Sequence, residues 1–376
     1  MRILLLSHAP VIHTQRWASA LAERGHEIRL LTAEAAPGAA FPGKVIGAPF
    51  PISALRYASA RGGVARESRA FRPDVTVAHF LPNYGFLAAI SGARPLLLVC
   101  WGSDLLVNAN RSPFHRARAR FTLARADLVH VDAQVLAVAA AKLGTPDQRL
   151  WVRPWGVDVD SLAPSEPWAS RRARAPEVRI LWTRALASLY DPATLVRALG
   201  LLRQRGVPFR ATIAGEGPLR RSLESLAQDV QISGAVRFTG WVDAGALRAL
   251  YREHEIYVSL SRSDSTSQSL LEAMAAGLTP VITDIEGNRE WVAHRREGLL
   301  VQPGDSEAVA CAIAEIARGG AMGNDGAGAQ DGDDGASMAA RAREVARRRA
   351  RFADTVAETE KRLAALVAAG SRTKSP

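Results

Sequence analysis

The stretch IYVSLSRSDSTSQSLLEAMAAGLTPVIT, residues 256–283, decides the fold of this chain. Its first five residues are apolar or β-branched apart from one serine, which is typical of a buried strand. A run of small hydroxylated residues follows, then a segment rich in alanine and leucine that predicts a helix, and then a second strand at 279–283. Strand, helix and strand in this order predict one βαβ unit of a parallel sheet.

The same alternation extends through most of the chain. In the first half it predicts strands at 2–7, 27–32, 75–80, 95–100, 128–131 and 149–152. After a proline-rich break at 154–167 it predicts strands at 178–183, 209–214, 236–239, 256–260 and 279–283. Two such halves predict an α/β protein with two doubly wound, Rossmann-like domains that face each other across a cleft.

We place the N-terminal domain at residues 1–160 and the C-terminal domain at residues 161–345. Residues 319–336 are rich in glycine and aspartate and hold few apolar side chains, so we expect a disordered loop there. The alanine- and arginine-rich stretch 337–369 predicts a helix. Its last part, 346–376, is expected to pack back toward the N-terminal domain.

Composition excludes several classes of protein. The chain has 376 residues, of which 48% are hydrophobic and 23% charged, so it is neither fibrous nor disordered throughout. No apolar run approaches the roughly 18 residues that span a membrane. The apolar run near residue 1 is too short for a signal peptide and fits a first strand. Cys100 and Cys311 alone make no disulfide framework, so the reduced cytoplasm is the expected location.

The positive charge is concentrated in the first half of the chain. The net charge is +11, and residues 1–155 hold 19 basic against 9 acidic side chains. One interpretation is a compositional bias, because only four of the 48 basic residues are lysine. The other is a surface for an anionic partner, which could be lipid head groups at the inner face of the plasma membrane or a phosphorylated acceptor. Nucleic acid is not expected, because no recognition motif accompanies the arginines.

Two carboxylates in the deciding stretch have a chemically useful spacing. Asp264 follows a predicted strand, and Glu272 lies inside the next helix. The N–H groups and dipole at that helix N-terminus form an anion site that fits a diphosphate. A carboxylate one or two turns further could accept hydrogen bonds from a ribose diol. A serine-capped helix without any ligand fits the same pattern, and the spacing alone does not decide.

In this stretch Asp264 is followed, after seven residues, by Glu272 and then by AMAAG. This pattern resembles the nucleotide-sugar signature of glycosyltransferase family 4, with Asp in place of the usual first Glu. Six further segments resemble motifs of that family in the same order: RGHEI at 24–28, PDVTVAH at 73–79, PWGVD at 154–158, GEGPL at 215–219, VRFTG at 236–240 and GLLVQPGD at 298–305. The resemblance covers about residues 1–318. It implies a retaining enzyme of the GT-B fold that uses a nucleotide sugar.

The resemblance also implies roles for individual residues. The catalytic residues would be His79, Arg184 and Asp264. The donor would contact Gly215, Gly217, Trp241, Ser267, Gln268, Ser269, Leu270 and Glu272, and the acceptor would contact His13, Arg16 and Asp104. The family lysine that follows the arginine is missing, because its position falls near Tyr190. We expect the helix N-terminus, the hydroxyls of residues 265–267 or Arg262 to compensate.

The predicted reaction transfers a hexosyl group from a UDP- or GDP-linked sugar to an acceptor hydroxyl, in cell-surface polysaccharide or glycolipid biosynthesis. No cofactor or metal is expected, because no Asp-x-Asp pair stands where a metal would bridge the diphosphate. The expected acceptor is a saccharide or a lipid-linked saccharide. Three alternatives stay open: transfer to a small soluble acceptor such as a natural product or thiol precursor, epimerisation of a nucleotide sugar, and binding of a sugar nucleotide or anionic polymer without catalysis.

Overall fold

The computed structural model describes residues 1–47, 53–319 and 335–372. Contacts within the chain divide it into two compact units. The first unit consists of Met1–Pro154 and the C-terminal segment that begins at Ala353, and the second is Trp155–Phe352. Each unit is built on one parallel sheet, so the predicted α/β class with two Rossmann-like domains is confirmed.

The sheet of the first unit has seven strands in the order β3-β2-β1-β4-β5-β6-β7. These strands are β1 (Arg2–Leu6), β2 (Glu27–Thr32), β3 (Lys44–Val45), β4 (Val75–His79), β5 (Leu96–Val99), β6 (Leu128–Val131) and β7 (Leu150–Val152). The central strands are buried apolar runs, as expected when helices cover both faces of a parallel sheet. The strand order reverses between β1 and β4, where sheets of this kind bind ligands.

The sheet of the second unit has six strands in the order β10-β9-β8-β11-β12-β13. They are β8 (Val178–Trp182), β9 (Phe209–Ile213), β10 (Val236–Phe238), β11 (Ile256–Ser259), β12 (Thr279–Thr283) and β13 (Leu299–Val301). Here the order reverses between β8 and β11. The strands predicted from the sequence therefore form. Two edge strands are absent from that prediction: β3, whose two residues are exposed and show no pattern, and β13, which lies within the 298–305 motif.

The connecting helices complete the layers around the two sheets. In the first unit these are α1 (Ile12–Glu23), α2 (Ser53–Phe71), α3 (Phe86–Ile90), α4 (Gly102–Leu106), α5 (Pro113–Arg125) and α6 (Gln134–Lys142). In the second they are α7 (Trp168–Arg172), α8 (Pro192–Gln204), α9 (Arg220–Asp229), α10 (Ala244–Glu253), α11 (Gln268–Ala275), α12 (Glu286–Arg289), α13 (Ser306–Gly319) and α14 (Gly335–Arg349). A last helix, α15 (Phe352–Arg372), belongs almost entirely to the first unit. No helix among the described residues has both the length and the apolar character needed to cross a membrane.

The single helix predicted at 337–369 is wrong in one respect, because the chain breaks it at Ala350–Arg351 into α14 and α15. At the break the Val157 N–H donates to the Ala350 carbonyl at 2.7 Å, and the Phe352 N–H donates to the Val157 carbonyl at 2.9 Å. The Ala350 carbonyl and the Phe352 N–H therefore bond to Val157, which is distant in the sequence, and not to partners within a continuous helix. The loop predicted at 319–336 lies outside the described residues, except for its ends in α13 and α14.

Candidate functional site

The reversal between β8 and β11 brings together two residues that are 80 positions apart in the sequence. Arg184 lies two residues beyond the end of β8, and Asp264 lies on the loop that follows β11. The Arg184 Nη2 is 2.6 Å from the Asp264 Oδ2, and both side chains are largely buried. The carboxyl ends of neighbouring parallel strands meet at one edge of the sheet, which explains how the fold forms this pair.

The Arg184 guanidinium is fixed by three further contacts. Its Nη1 donates to the Ser267 Oγ at 2.6 Å and to the Ser269 Oγ at 3.3 Å. Its Cζ lies 4.3 Å from the centre of the Tyr190 ring. Burial lowers the pKa of Arg184, but the Asp264 carboxylate outweighs this and holds that pKa above its usual value. The site therefore contains one positioned cation with its charge retained.

The N-terminus of α11 lies beside this cation. Ser267 caps the helix, since its Oγ accepts from the Leu270 N–H at 3.3 Å. The first N–H groups of a helix lack an acceptor within the helix and attract anions. The side-chain oxygen and nitrogen of Gln268 are buried and have no hydrogen-bond partner among the described residues. A polar ligand at this position would provide hydrogen-bond partners for the Gln268 Oε1 and Nε2.

Glu272 lies in the next turn of α11 and is held by a tyrosine. The Tyr251 hydroxyl is 3.1 Å from the Glu272 Oε2 and 3.2 Å from the Thr183 Oγ1. Burial raises the pKa of Tyr251, and the nearby Glu272 adds to this effect. A second buried tyrosine, Tyr257, donates to the Ser269 Oγ at 2.7 Å. Neither tyrosine was predicted as a site residue, because both have the pattern of core residues, although a buried hydroxyl usually needs a partner.

The three hydroxyls expected to compensate for the missing lysine differ in their surroundings, and their role stays a prediction. Ser267 contacts Arg184, but the Thr266 Oγ1 accepts from the Trp291 Nε1 at 3.2 Å. Ser265 is buried. Arg262 pairs with Asp191 at 2.9 Å, which places a second, mostly exposed cation beside the loop that carries Tyr190.

The two glycines of the 215–219 turn pack against the loop that carries Arg184. A Cβ at Gly215 would lie 2.3 Å from the Arg184 carbonyl oxygen, and one at Gly217 would lie 2.4 Å from the Leu186 carbonyl oxygen. The Leu186 N–H also donates to the Glu216 carbonyl at 2.9 Å. These glycines thus permit a close backbone approach that fixes the position of Arg184.

Two other predicted donor contacts differ in exposure. The Leu270 side chain is fully buried in the core, so only its backbone could reach a ligand. Trp241, in the loop between β10 and α10, is 77% exposed. An exposed tryptophan of this kind is free to stack on a base, and its donor contact stays a prediction.

The first unit has a second cluster at the reversal between β1 and β4. The His79 Nδ1 lies 3.2 Å from the Ser7 Oγ, which is 2.7 Å from the Thr14 Oγ1. The rings of His13 and His79 lie 6.2 and 6.4 Å from that of Trp101. Burial lowers the pKa of His79 to about 3, and burial together with the nearby Arg16 lowers that of His13 to about 4. Both imidazoles are therefore neutral near pH 7.

Asp104 occupies a structural position beneath this cluster. It is fully buried, and its Oδ2 accepts from the backbone N–H groups of Leu81 and Trp101, both at 2.8 Å. Burial raises the pKa of this carboxyl to about 8. The contacts join the ends of β4 and β5. A direct contact of Asp104 with an acceptor stays a prediction, and the full burial of this side chain does not support it.

Two family models match the chain. The model "Glycosyl transferase 4-like" matches residues 2–133, and the model "Glycosyl transferases group 1" matches residues 178–318. The chain therefore carries a glycosyltransferase domain in each half. The resemblance stated from the sequence is confirmed at the level of these families.

Curated relatives carry glycosyltransferase names. The amylovoran biosynthesis glycosyltransferase AmsK of Erwinia amylovora is 24% identical over 68% of this chain and 64% of its own. The D-inositol 3-phosphate glycosyltransferase of Pseudarthrobacter chlorophenolicus is 30% identical over 53% of this chain and 50% of its own. The chain thus spans between half and just under two thirds of the length of these relatives.

Solved structures show the fold of both glycosyltransferase domains together. Anabaena Alr3699/HepE, crystallised with UDP, aligns with a TM-score of 0.76 at 17% identity over 97% of this chain and all of its own. The sucrose-phosphate synthase of Thermosynechococcus elongatus aligns with a TM-score of 0.80 at 18% identity over 98% of this chain and all of its own. At such identities the likeness concerns the fold alone, and it confirms the GT-B architecture.

Proposed function

We propose that this chain is a retaining glycosyltransferase that moves a hexosyl group from a nucleoside diphosphate sugar to an acceptor hydroxyl. The observation that carries the proposal is the group formed by Arg184, Asp264 and Glu272 around the N-terminus of α11. This group offers a fixed cation and helix N–H groups for a diphosphate, and a carboxylate for a ribose diol.

The donor would bind with its diphosphate between Arg184 and the first turn of α11. The hydroxyls of Ser267 and Ser269, which now accept from Arg184, would turn toward phosphate oxygens. Glu272, held by Tyr251, would accept hydrogen bonds from the ribose hydroxyls. The open amide of Gln268 would gain a partner. The UDP bound by Anabaena HepE supports a uridine donor, and a GDP-linked sugar is the alternative.

The transfer would proceed on one face of the sugar, which retains the configuration of the anomeric carbon. The bond from that carbon to the diphosphate oxygen breaks and the bond to the acceptor oxygen forms. The acceptor proton passes to an oxygen of the departing phosphate. Arg184 stabilises the charge that develops on the diphosphate, and one positioned donor of this kind contributes about 3 kcal/mol to the transition state.

The acceptor is proposed to bind in the first unit, beside His13, Arg16 and His79. Because both imidazoles are neutral, each has one N–H donor and one ring nitrogen that accepts. In His79 the Nδ1 already bonds to the Ser7 Oγ. The amylovoran biosynthesis relative supports an acceptor that belongs to a cell-surface polysaccharide or glycolipid. We propose a cytoplasmic location for the reaction and no metal or other cofactor.

The proposal is tested by ligand-induced stabilisation and then by turnover. Thermal unfolding is measured with UDP, GDP, ADP and their sugars, for the wild type, Glu272→Gln and Glu253→Gln. Glu253 is an exposed acid of α10 and serves as the matched control. A nucleotide at 100 times its Kd should add about 2.7 kcal/mol of stability to the wild type and the control. Glu272→Gln should lose most of that gain.

Turnover then separates the alternatives. The donor that stabilises the protein is incubated with and without saccharide acceptors, and the anomeric configuration of the product is read by NMR. A product of retained configuration is expected only with acceptor. Conversion of the donor sugar in the absence of acceptor would show that the protein is an epimerase and not a transferase. The absence of stabilisation by every nucleotide would overturn the donor site.

A further inference from the structure

The solvent face of α5 displays a strip of apolar side chains. Phe114 is 70% exposed and Phe121 is 37% exposed. The two lie seven residues apart, which is close to two helical turns, so both project from the same side. Ala117 and Ala124 are exposed as well and extend the strip. Single exposed apolar side chains are ordinary, but a contiguous apolar strip with a charged border is typical of a contact site for a protein or a membrane.

Four arginines border this strip along the whole helix. Arg118 and Arg125 lie on one side of it, and Arg116 and Arg120 lie on the other, as the helical spacing requires. The Cζ of Arg125 is 4.8 Å from the centre of the Phe121 ring, and that of Arg118 is 6.0 Å from the Phe114 ring. The charged groups therefore lie at the edges of the apolar surface.

The opposite face of α5 is anchored in the first unit. Ala119, Thr122 and Leu123 are buried there. Phe121 also packs edge-to-face on Phe86 of α3, with ring centres 6.0 Å apart. The helix is thus fixed with its apolar and basic face outward.

No acidic residue offsets this charge locally. The segment between Asp104 and Asp127 contains five arginines, including Arg111, and no Asp or Glu. Asp104 is buried and Asp127 pairs with Arg94 at 2.9 Å. In the described part of the chain, no ion pair involves any of these five arginines. Their charge is available to an external anion.

We infer that the exposed face of α5 binds an anionic lipid bilayer. The phenylalanines would enter the boundary between head groups and acyl chains, and the arginines on both sides would contact lipid phosphates. A soluble polyanion would use the arginines but would leave the apolar strip in water. The inference goes beyond the proposed function, because it concerns attachment of the protein and not sugar transfer.

Vesicle flotation tests the inference without any nucleotide or acceptor. The full chain is mixed with vesicles of phosphatidylcholine alone or with 30 mol% phosphatidylglycerol, at low and high salt. The test variants are Phe114→Gln and the pair Arg116→Glu with Arg120→Glu. The controls are Val138→Gln, at an apolar residue of α6 that is 52% exposed, and the pair Arg61→Glu with Arg69→Glu on α2, which changes the net charge equally.

We expect binding only to the anionic vesicles, weakened by salt. The arginine pair should weaken it at least tenfold and Phe114→Gln at least threefold, while both controls bind like the wild type at unchanged Tm. Equal loss in the control arginine pair would overturn the inference, because net charge alone would then explain binding. The inference is also overturned if Phe114→Gln binds vesicles like the wild type, or if the wild type binds no vesicles. In either case binding to heparin is measured next. Tight binding to heparin would identify a soluble polyanion as the partner.

Discussion

At the scale of single residues, Tyr190 is the departure from the family pattern with the clearest structural consequence. It stands near the position of the missing lysine, and its ring lies under the Arg184 guanidinium. A ring face attracts and orients a guanidinium, which is worth about 0.5–2 kcal/mol. Tyr190 therefore cannot supply the second cation, but it can hold the first one in place.

This predicts a difference between two substitutions of Tyr190. Tyr190→Phe keeps the ring and should leave kcat/KM for the donor within about threefold of the wild type. Tyr190→Ala removes the ring and should lower kcat/KM by about tenfold. Leu189→Ala, at the exposed neighbouring position, is the control and should change little. Equal losses in the Phe and Ala variants would mean that the hydroxyl, and not the ring, matters.

Asp104 predicts a pH dependence of stability. Its pKa is raised to about 8 in the folded protein by burial, whereas an unfolded aspartate titrates near 3.8. Between these values the folded state keeps a proton that the unfolded state has released. The contribution of this residue to stability therefore decreases as the pH rises from about 4 to 8, by up to about 1.4 kcal/mol per pH unit.

Asp104→Asn isolates the effect, because asparagine keeps an oxygen for the Leu81 and Trp101 N–H groups but does not titrate. Relative to this variant, the wild type should lose Tm steadily between pH 5 and pH 8. The buried histidines titrate alike in both proteins and cancel in the comparison. A difference in Tm that does not change with pH would show that Asp104 is ionised in the folded state.

At the scale of secondary structure elements, Arg171 ties three helices of the second unit together. It is 1% exposed and lies on α7. Its Nη1 donates to the His254 carbonyl at 2.9 Å, just after α10, and its Nη2 donates to the Gly277 carbonyl at 2.5 Å, just after α11. A cation at two helix C-termini complements both dipoles and satisfies carbonyls that the helices leave open.

Arg171→Met should lower the free energy of unfolding by about 3 kcal/mol, because buried carbonyls would lose a charged donor while the volume stays similar. Arg174→Met is the matched control: its guanidinium pairs with Glu166 on the surface, so its loss should cost under about 1 kcal/mol. Both values come from urea unfolding of the full chain. Similar small losses in both variants would contradict the assigned role of Arg171.

At the scale of the whole molecule, the two places where the chain passes between its units are joined by backbone pairing. Val157, near the start of the second unit, bonds to both Ala350 and Phe352 at its end. Gly156 permits this approach with φ +80°, and a Cβ there would lie 2.8 Å from the Phe352 Cα. A side chain at Gly156 would therefore meet backbone that has little freedom to move.

Gly156→Ala should destabilise the protein by at least about 2 kcal/mol, from the positive φ and from the clash. Gly206→Ala separates the two causes, since Gly206 has φ +68° but nothing within 4 Å of its Cβ position. The control should cost only about 1 kcal/mol. If both substitutions lower Tm equally, the close approach at Gly156 contributes nothing to stability.

The sequence by itself determined the central strands of both sheets and the elements that carry Asp264 and Glu272. Buried parallel strands must be short apolar runs, and the loops at their carboxyl ends carry the remaining polar residues. Asp264 and Glu272 were therefore predicted correctly to lie on a loop and in the following helix. Both observations rest on residues less than ten positions apart, where local pattern is informative.

Only the tertiary structure decided which distant side chains meet. Two contacts join residues that are distant along the chain: Arg184 with Asp264, and Tyr251 with Glu272. The burial of Asp104 and the break at Ala350 likewise depend on neighbours that are distant in the sequence. No local pattern separates a tyrosine that fills a core from one that holds a carboxylate. The difference lies in which partner the packed sheet brings within hydrogen-bonding distance, and packing is a property of the whole fold.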